Sequence, residues 1–302
     1  MRGIAVVHLV RRQNGLAPLQ QFLASYREHA AGVAHDLVIL FKGFRGEGGM
    51  REHDALLERV PHRRLFVPDR GYDLNAYFMA PERLDYDYFC FLNSYSRILD
   101  RGWLEKLARW SAHADVGLAG ATGSCQSIAG GYTARQQQMD ALPPVSRFGK
   151  RAARALRDRT PGAFAGRVTR FALRLAGIWR PARDFPPFPN YHLRTNAFMG
   201  SRQTLRRVRL GPMPIKLAAY KFESGKDSVT NQVLKMGLKV LVVGRDGEGY
   251  EPARWHLSNT FWQSREENLL VADNQTETYL AAQPAGRAEL AEYAWGEFAR
   301  PA

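Results

Sequence analysis

The sequence predicts an α/β protein built on a mostly parallel sheet with helices against it. Three observations carry this. Apolar, β-branched runs alternate with segments of helical periodicity through the first half of the chain. The runs are continuously apolar, as in strands buried on both faces, and do not alternate with polar residues. The chain has 302 residues, 45% of them hydrophobic, enough for one large core.

The elements follow in order. Residues Ile4 to Val10 form the first strand, and the charged letters after them, Arg11 and Arg12, argue for a strand and against a signal peptide. Apolar positions at Leu16, Leu19, Phe22, Leu23 and Tyr26 predict a helix to His29. DLVILF from Asp36 is a second strand, followed by the loop KGFRGEGG, which lacks the Gly-Lys-Ser/Thr ending of a phosphate-binding loop. A short helix from Glu52 to Val60 and a third strand from Arg64 to Asp69 come next. GYDLNAYFMAPERL opens on a turn glycine and continues as a helix that Pro81 should interrupt. YDYFCFLN is the fourth strand, Trp103 to His113 a helix, and VGLAGA from Val116 the fifth strand. Further on, HLRTNAFMGSR from His192 reads as a strand, Phe222 to Met236 as one helix, and LKVLVVG from Leu238 as a strand. The tail from Trp255 to Ala302 is expected to be loop and helix packed back on the domain. The expected organisation is a single domain over 1–302, with a basic helical insertion or lid at 145–185 and a C-terminal extension at 255–302.

In open parallel sheets, ligands bind beyond the carboxyl ends of the strands. The residues to watch are therefore Arg11 to Asn14, Lys42 to Gly49, Asp69 to Asp73, and Asn93 to Arg97.

Four stretches, taken in order and spacing, resemble the GT-A glycosyltransferases, especially the inverting family 2. They are IAVVHLVRRQNGLAPLQQFL, VPDRGYDLNAYF, YFCFLNSYSRIL with WLEKL after it, and KFESGKDSVTNQVLKMGLKVLVVG. The resemblance spans roughly Ile4 to Trp255. It implies a GT-A-like, Rossmann-like sheet and transfer of a sugar from a nucleotide-sugar donor to a glycan or lipid-linked acceptor in surface polysaccharide synthesis. On that reading, Arg11, Lys42, Arg70, Asp73, Asn93, Ser94, Tyr95 and Arg97 are candidates for the nucleotide and its diphosphate. Asn196, Arg245 and His256 are candidates for a diphosphate or acceptor contact. The general base would be Glu223 or Asp227, which stand four apart and would share a face of one helix.

The sequence departs from the family at the third stretch. Where relatives carry a metal-binding Asp-x-Asp, this chain has Asn93, Ser94 and Tyr95, all neutral. Mg²⁺ or Mn²⁺, which the resemblance would imply, wants at least one carboxylate and is disfavoured. The alternatives are a transferase working without metal through basic side chains, a GT-A relative that binds glycan or nucleotide without turnover, and a basic membrane-surface protein.

The net charge of +14 is local. Between Arg147 and Arg183 there are eleven arginines and lysines and one acid, Asp158, interleaved with Phe148, Leu156, Phe164, Phe171, Leu175 and Trp179. Such a pattern points to an anionic membrane surface. No nucleic-acid motif accompanies it, so nucleic acid is not expected as a partner. Two distant cysteines, Cys90 and Cys125, argue against a disulfide framework and for a reducing compartment. The expected location is cytoplasmic, peripheral on the inner face of the plasma membrane.

Overall fold

A computed structural model describes residues 3–44, 50–69, 71–129, 181–213 and 215–299. The basic insertion, apart from its last few residues, lies outside the described residues, as does Arg70.

The chain forms β1 (Ile4–Arg11), α1 (Ala17–Glu28), β2 (Asp36–Lys42), α2 (Arg51–Leu57), β3 (Arg63–Val67), α3 (Asp73–Arg83), β4 (Tyr88–Leu92), β5 (Arg97–Ile98), α4 (Trp103–Ser111), β6 (Val116–Gly120) and β7 (Gly123–Ser124). After a single turn at Pro181–Asp184 come β8 (His192–Leu193), β9 (Ala197–Ser201), α5 (Arg202–Arg207), α6 (Lys216–Ser224), α7 (Val229–Lys235), β10 (Lys239–Val243) and β11 (Gly249–Tyr250). The tail adds β12 (Val271–Ala272), α8 (Asn274–Ala281) and α9 (Pro284–Trp295).

Eight strands make one sheet in the order β11-β10-β6-β9-β4-β1-β2-β3. The pairs β1 with β2, β1 with β4, β2 with β3 and β10 with β6 are parallel. β9 runs against both its neighbours, β4 and β6, and β11 runs against β10. The sheet is therefore mostly parallel, as expected, with a reversed strand in its interior. Two small ladders, β5 with β12 and β7 with β8, sit outside it.

The continuous apolar runs are explained by burial on both sides. Val7, Leu9, Phe89 and Phe91 pack under α3 with Leu74, Tyr77 and Phe78. Val6, Val10, Cys90 and Leu92 pack on the opposite face with Phe22 of α1 and Trp103, Leu104 and Leu107 of α4. Both cysteines are free and buried. No helix among the described residues is long and apolar enough to cross a membrane.

Three expectations are corrected. Pro81 does not interrupt α3, which runs on to Arg83. It stands in the last turn, where it forgoes the one bond its N–H would have given the Tyr77 carbonyl, and Arg202 Nε donates to the Pro81 carbonyl at 2.9 Å. The stretch read as one helix from Phe222 to Met236 is two, α6 and α7, broken at Gly225. A Cβ at Gly225 would lie 2.4 Å from the Lys221 carbonyl, and Ser228 starts the second helix by accepting from the Asn231 amide. HLRTNAFMGSR is also two strands, β8 and β9, with Arg194, Thr195 and Asn196 left between them.

One core residue is out of character. His8, in the middle of β1, is fully buried, and neither ring nitrogen has a hydrogen-bond partner. Its ring stacks on Phe22 at 3.7 Å and 8°. Burial pushes its pKa down to about 3. The folded value lies below the unfolded one, so the unfolded chain binds the extra proton between about pH 6.5 and 3. Stability is thus retained above that window and lost as pH falls through it, by about 1.4 kcal/mol per pH unit. His8→Phe keeps the stack and removes the titration. Its stability advantage over wild type should grow by about 2 kcal/mol between pH 7 and pH 5, measured by urea unfolding at each pH. Parallel pH profiles for the two proteins would refute this.

Candidate active site

The parallel strands deliver Arg11 and Lys42 side by side, since these two residues are partners in the β1–β2 register. Lys42 is almost fully buried and donates from Nζ to the Gly71 carbonyl at 2.7 Å. Burial lowers the pKa of its ammonium, and the nearby carboxylates of Asp73 and Asp69 oppose that shift. Gly71 makes the turn into α3 with φ +65°, and a Cβ there would collide with the Asn75 side chain. That turn sets Asp73 at the start of α3, 3.6 Å from the Arg11 guanidinium.

One turn into α3, Tyr77 is buried with its hydroxyl unpartnered. Its pKa is raised well above the ordinary value by burial, with the charges of Asp73 and Glu223 adding and Arg11 opposing. Tyr77 therefore lies within electrostatic reach of Arg11, Asp73 and Glu223, which come from β1, the start of α3 and the end of α6.

Glu223 is held from the other side. Its Oε1 accepts from the Thr195 amide at 3.0 Å and the Thr195 hydroxyl at 2.8 Å. His192 is buried, which lowers its pKa, with Glu223 pulling the other way. Asp227 does not join the cluster. The break at Gly225 removes the shared helical face, and the Asp227 side chain is 85% exposed and paired with Lys235 at 2.9 Å.

At the end of β4, Asn93 makes a closed turn. Its Oδ1 accepts from the Tyr95 amide at 2.9 Å and the Ser96 hydroxyl at 3.1 Å. Its amide donates to the Asn196 carbonyl at 2.9 Å. The Asn196 Oδ1 accepts from the Thr122 hydroxyl at 2.5 Å. Two buried polar atoms here have no partner, Ser94 Oγ and Asn196 Nδ2. Tyr95 projects into solvent at 41% exposure.

This donor set does not fit a divalent cation. The one amide oxygen that could serve at Asn93 is already engaged twice, and the turn offers no carboxylate. Among the described residues, no group of three or more His, Cys, Asp or Glu converges anywhere.

The remaining sequence candidates have structural partners. Arg97, on β5, is paired with Glu277 of α8 at 3.0 Å. Arg245 donates from Nε to the Leu269 carbonyl at 2.7 Å. The His256 ring stacks on Phe298 at 5.1 Å, inside the packing of the tail.

Sequence reasoning did not single out Thr195, Tyr77 or the ion pair behind them. Arg194, next to Thr195, donates to Asp273 Oδ2 at 2.9 Å, with both side chains almost fully buried. Its guanidinium also covers the Phe261 ring at 4.0 Å and reaches the Thr122 hydroxyl at 3.4 Å. The other Asp273 oxygen caps α8 through the amides of Gln275 and Thr276, both at 3.0 Å. Close by, Glu266 is buried, and its pKa is pushed up to about 8 mainly by burial, with Asp273 adding. It ends a loop in which Asn259, Trp262, Ser264 and Glu266 all have positive φ.

No protein-family model matches the sequence, and no curated protein does. Solved structures give weak likenesses of fold. A mannosyltransferase from Pyrobaculum calidifontis, in complex with GDP-mannose and Mn²⁺, is 13% identical with a TM-score of 0.46, covering 86% of this chain and 60% of its own. This chain thus spans about 60% of that protein's length. The galactosyltransferase LgtC, with donor and acceptor sugar analogues, is 12% identical with a TM-score of 0.41, covering 78% and 73%. Mouse xyloside xylosyltransferase 1 is 12% identical with a TM-score of 0.39, covering 80% and 84%. All three are named as sugar transferases. At TM-scores below 0.5 these likenesses carry no assignment of activity.

Proposed function

We propose that the protein is a glycosyltransferase that moves a sugar from a nucleotide-sugar donor to a hydroxyl of a glycan or lipid-linked acceptor. The observation that supports this is the grouping of Arg11, Lys42 and Asp73 where an open α/β sheet binds ligands, with the buried Tyr77 hydroxyl within electrostatic reach of both Asp73 and Glu223. Three of the four stretches that resemble the GT-A family contribute Arg11, Asp73, Tyr77 and Glu223, and Lys42 comes from the end of β2, outside them.

The acceptor oxygen attacks the anomeric carbon, the bond from that carbon to the diphosphate oxygen breaks, and the hydroxyl proton passes to Glu223. Direct displacement of this kind inverts the configuration. Thr195 ties up one carboxylate oxygen, so the group is oriented before substrate arrives. Arg11 and Lys42 meet the charge left on the diphosphate. The buried, unpartnered Ser94 Oγ and Asn196 Nδ2 supply neutral donors beside it. No step runs through a metal, because the Asn93 turn does not fit one.

The pathway reading is surface polysaccharide synthesis, with the enzyme in the cytoplasm against the inner face of the membrane. The arginine-rich segment 147–183 would make that contact, and its composition is what supports it.

Calorimetry with UDP, GDP and a panel of their sugars, followed by turnover assays with and without EDTA, tests the proposal. Binding and turnover should both survive EDTA. Activity that depends strictly on Mg²⁺ or Mn²⁺ would overturn the metal-free part. Binding without turnover in any condition would favour a non-catalytic glycan or nucleotide binder, a reading that the neutral Asn93 turn also suits.

A further inference from the structure

We propose that Arg194 is a positioning residue for the base, clamped in place by the tail of the chain. This rests on reading Glu223 as the base, and it makes Asp273 and Phe261 of the tail part of what aims it.

β8 ends at Leu193 and β9 begins at Ala197, so Arg194, Thr195 and Asn196 form a short link between two strands. The link is pinned at both ends. The Arg194 amide donates to the Thr122 carbonyl at 3.0 Å, and the Asn196 carbonyl accepts from the Asn93 amide at 2.9 Å. Thr195 stands between these pins and gives both of its donors, amide and hydroxyl, to Glu223 Oε1. Oε2 is left to take the proton of the acceptor. The aim of the carboxylate therefore depends on where Thr195 is held.

The side chain of Arg194 supplies the hold. Its Nη2 donates to Asp273 Oδ2 at 2.9 Å and its Nη1 to the Thr122 hydroxyl at 3.4 Å. The guanidinium also lies 4.0 Å from the centre of the Phe261 ring. A planar, two-pronged cation gripped in this way has one orientation. Asp273 is fixed in turn, because its other oxygen caps α8 through the Gln275 and Thr276 amides. A buried ion pair is a weak source of stability, since apolar residues of similar volume often serve as well or better. What an apolar pair does not reproduce is the directed geometry, and here that geometry lies one residue from the group that grips the base.

The test compares the full-length wild type with Arg194→Lys and with the double variant Arg194→Met plus Asp273→Leu. Lysine keeps a charge for Asp273 but lacks the second prong and the flat face. In Arg194→Lys, kcat for sugar transfer should fall about ten- to a hundredfold, the scale set by misplacing a reacting group by up to about 1 Å, with the donor KM within about threefold of wild type. In a Glu223→Gln background the same substitution should cost less than about twofold, because the group it aims is already gone. The double variant removes the clamp but keeps the interior packed, so it should fold and show the same loss of kcat. A second readout needs no turnover. Methyl labelling of threonine for NMR relaxation, with the Thr195 signal identified by its loss in Thr195→Val, should show the Thr195 methyl more mobile in both variants. Thr204 of α5, held by the Ser201 cap, should be unchanged. The clamp is refuted if kcat in Arg194→Lys stays within about twofold of wild type, if the loss appears in KM alone, or if it adds in full on Glu223→Gln. Wild-type kcat in the double variant would also refute it, by reducing the pair to a matter of stability. So would a Thr195 methyl as rigid in the variants as in wild type. If wild type transfers no sugar, the transferase reading fails, and the Thr195 methyl alone decides the clamp.

Discussion

Glu223→Gln should abolish sugar transfer while leaving nucleotide affinity within about twofold of wild type. A positioned general base contributes about 10²- to 10⁴-fold to a reaction of this kind. Gln keeps the oxygen that accepts from the Thr195 amide and hydroxyl, so the local structure is retained and only the proton-accepting capacity is lost. The loss should therefore appear in kcat, with KM for the donor nearly constant. Asp227→Asn provides the contrast. That side chain is exposed and holds only Lys235, so its removal should cost less than twofold in rate. A large loss in Asp227→Asn with little in Glu223→Gln would reverse the assignment of the base.

Asp273→Ala should be among the most destabilising single substitutions in the chain. It strips the Arg194 guanidinium of its counter-charge inside the protein, where breaking a buried pair costs about 3–5 kcal/mol. It also removes the cap from α8, worth a further ~1 kcal/mol. Against a total folding stability of about 5–15 kcal/mol, this is a large share. The double variant Arg194→Met with Asp273→Leu removes both charges and should recover much of the loss, which a urea-unfolding cycle of the four proteins would show. Equal destabilisation in the single and double variants would mean that the pair's charge is not what matters.

The long strands and their succession along the chain were legible because burial on both faces leaves long apolar runs, and little else produces them, whereas the short strands β5, β7, β11 and β12 and the order of strands across the sheet were not. Arg11, Lys42, Asp73 and Asn93 could be picked out for the same reason, since each closes or follows such a run. The reversed direction of β9 was not legible, because AFMGS reads the same in either orientation. The break at Gly225 was hidden by apolar residues that continue at helical spacing across it, and only the close approach of the Lys221 carbonyl forces the glycine. Tyr77 looks like any core aromatic in the sequence. Its place in the proposed site rests on the charges of Asp73 and Glu223 acting on it, the second brought in from far along the chain. Arg194 and Asp273 are 79 residues apart, and no spacing rule joins them.

The ladder between β7 and β8 has a consequence for how such a chain can vary. Gly123 pairs with Leu193 and Ser124 with His192. The strap continues outward through the Asn190 amide on the Cys125 carbonyl at 2.9 Å and the Ser127 hydroxyl on the Pro186 carbonyl at 2.6 Å. The chain thus departs and returns through one stitched neck. Whatever lies beyond that neck can lengthen, shorten or change its charge over generations at little entropic cost, while the sheet and the carboxylate at its edge stay in place. The residues whose basicity dominates the whole-chain charge lie, in sequence, between the two sides of this neck.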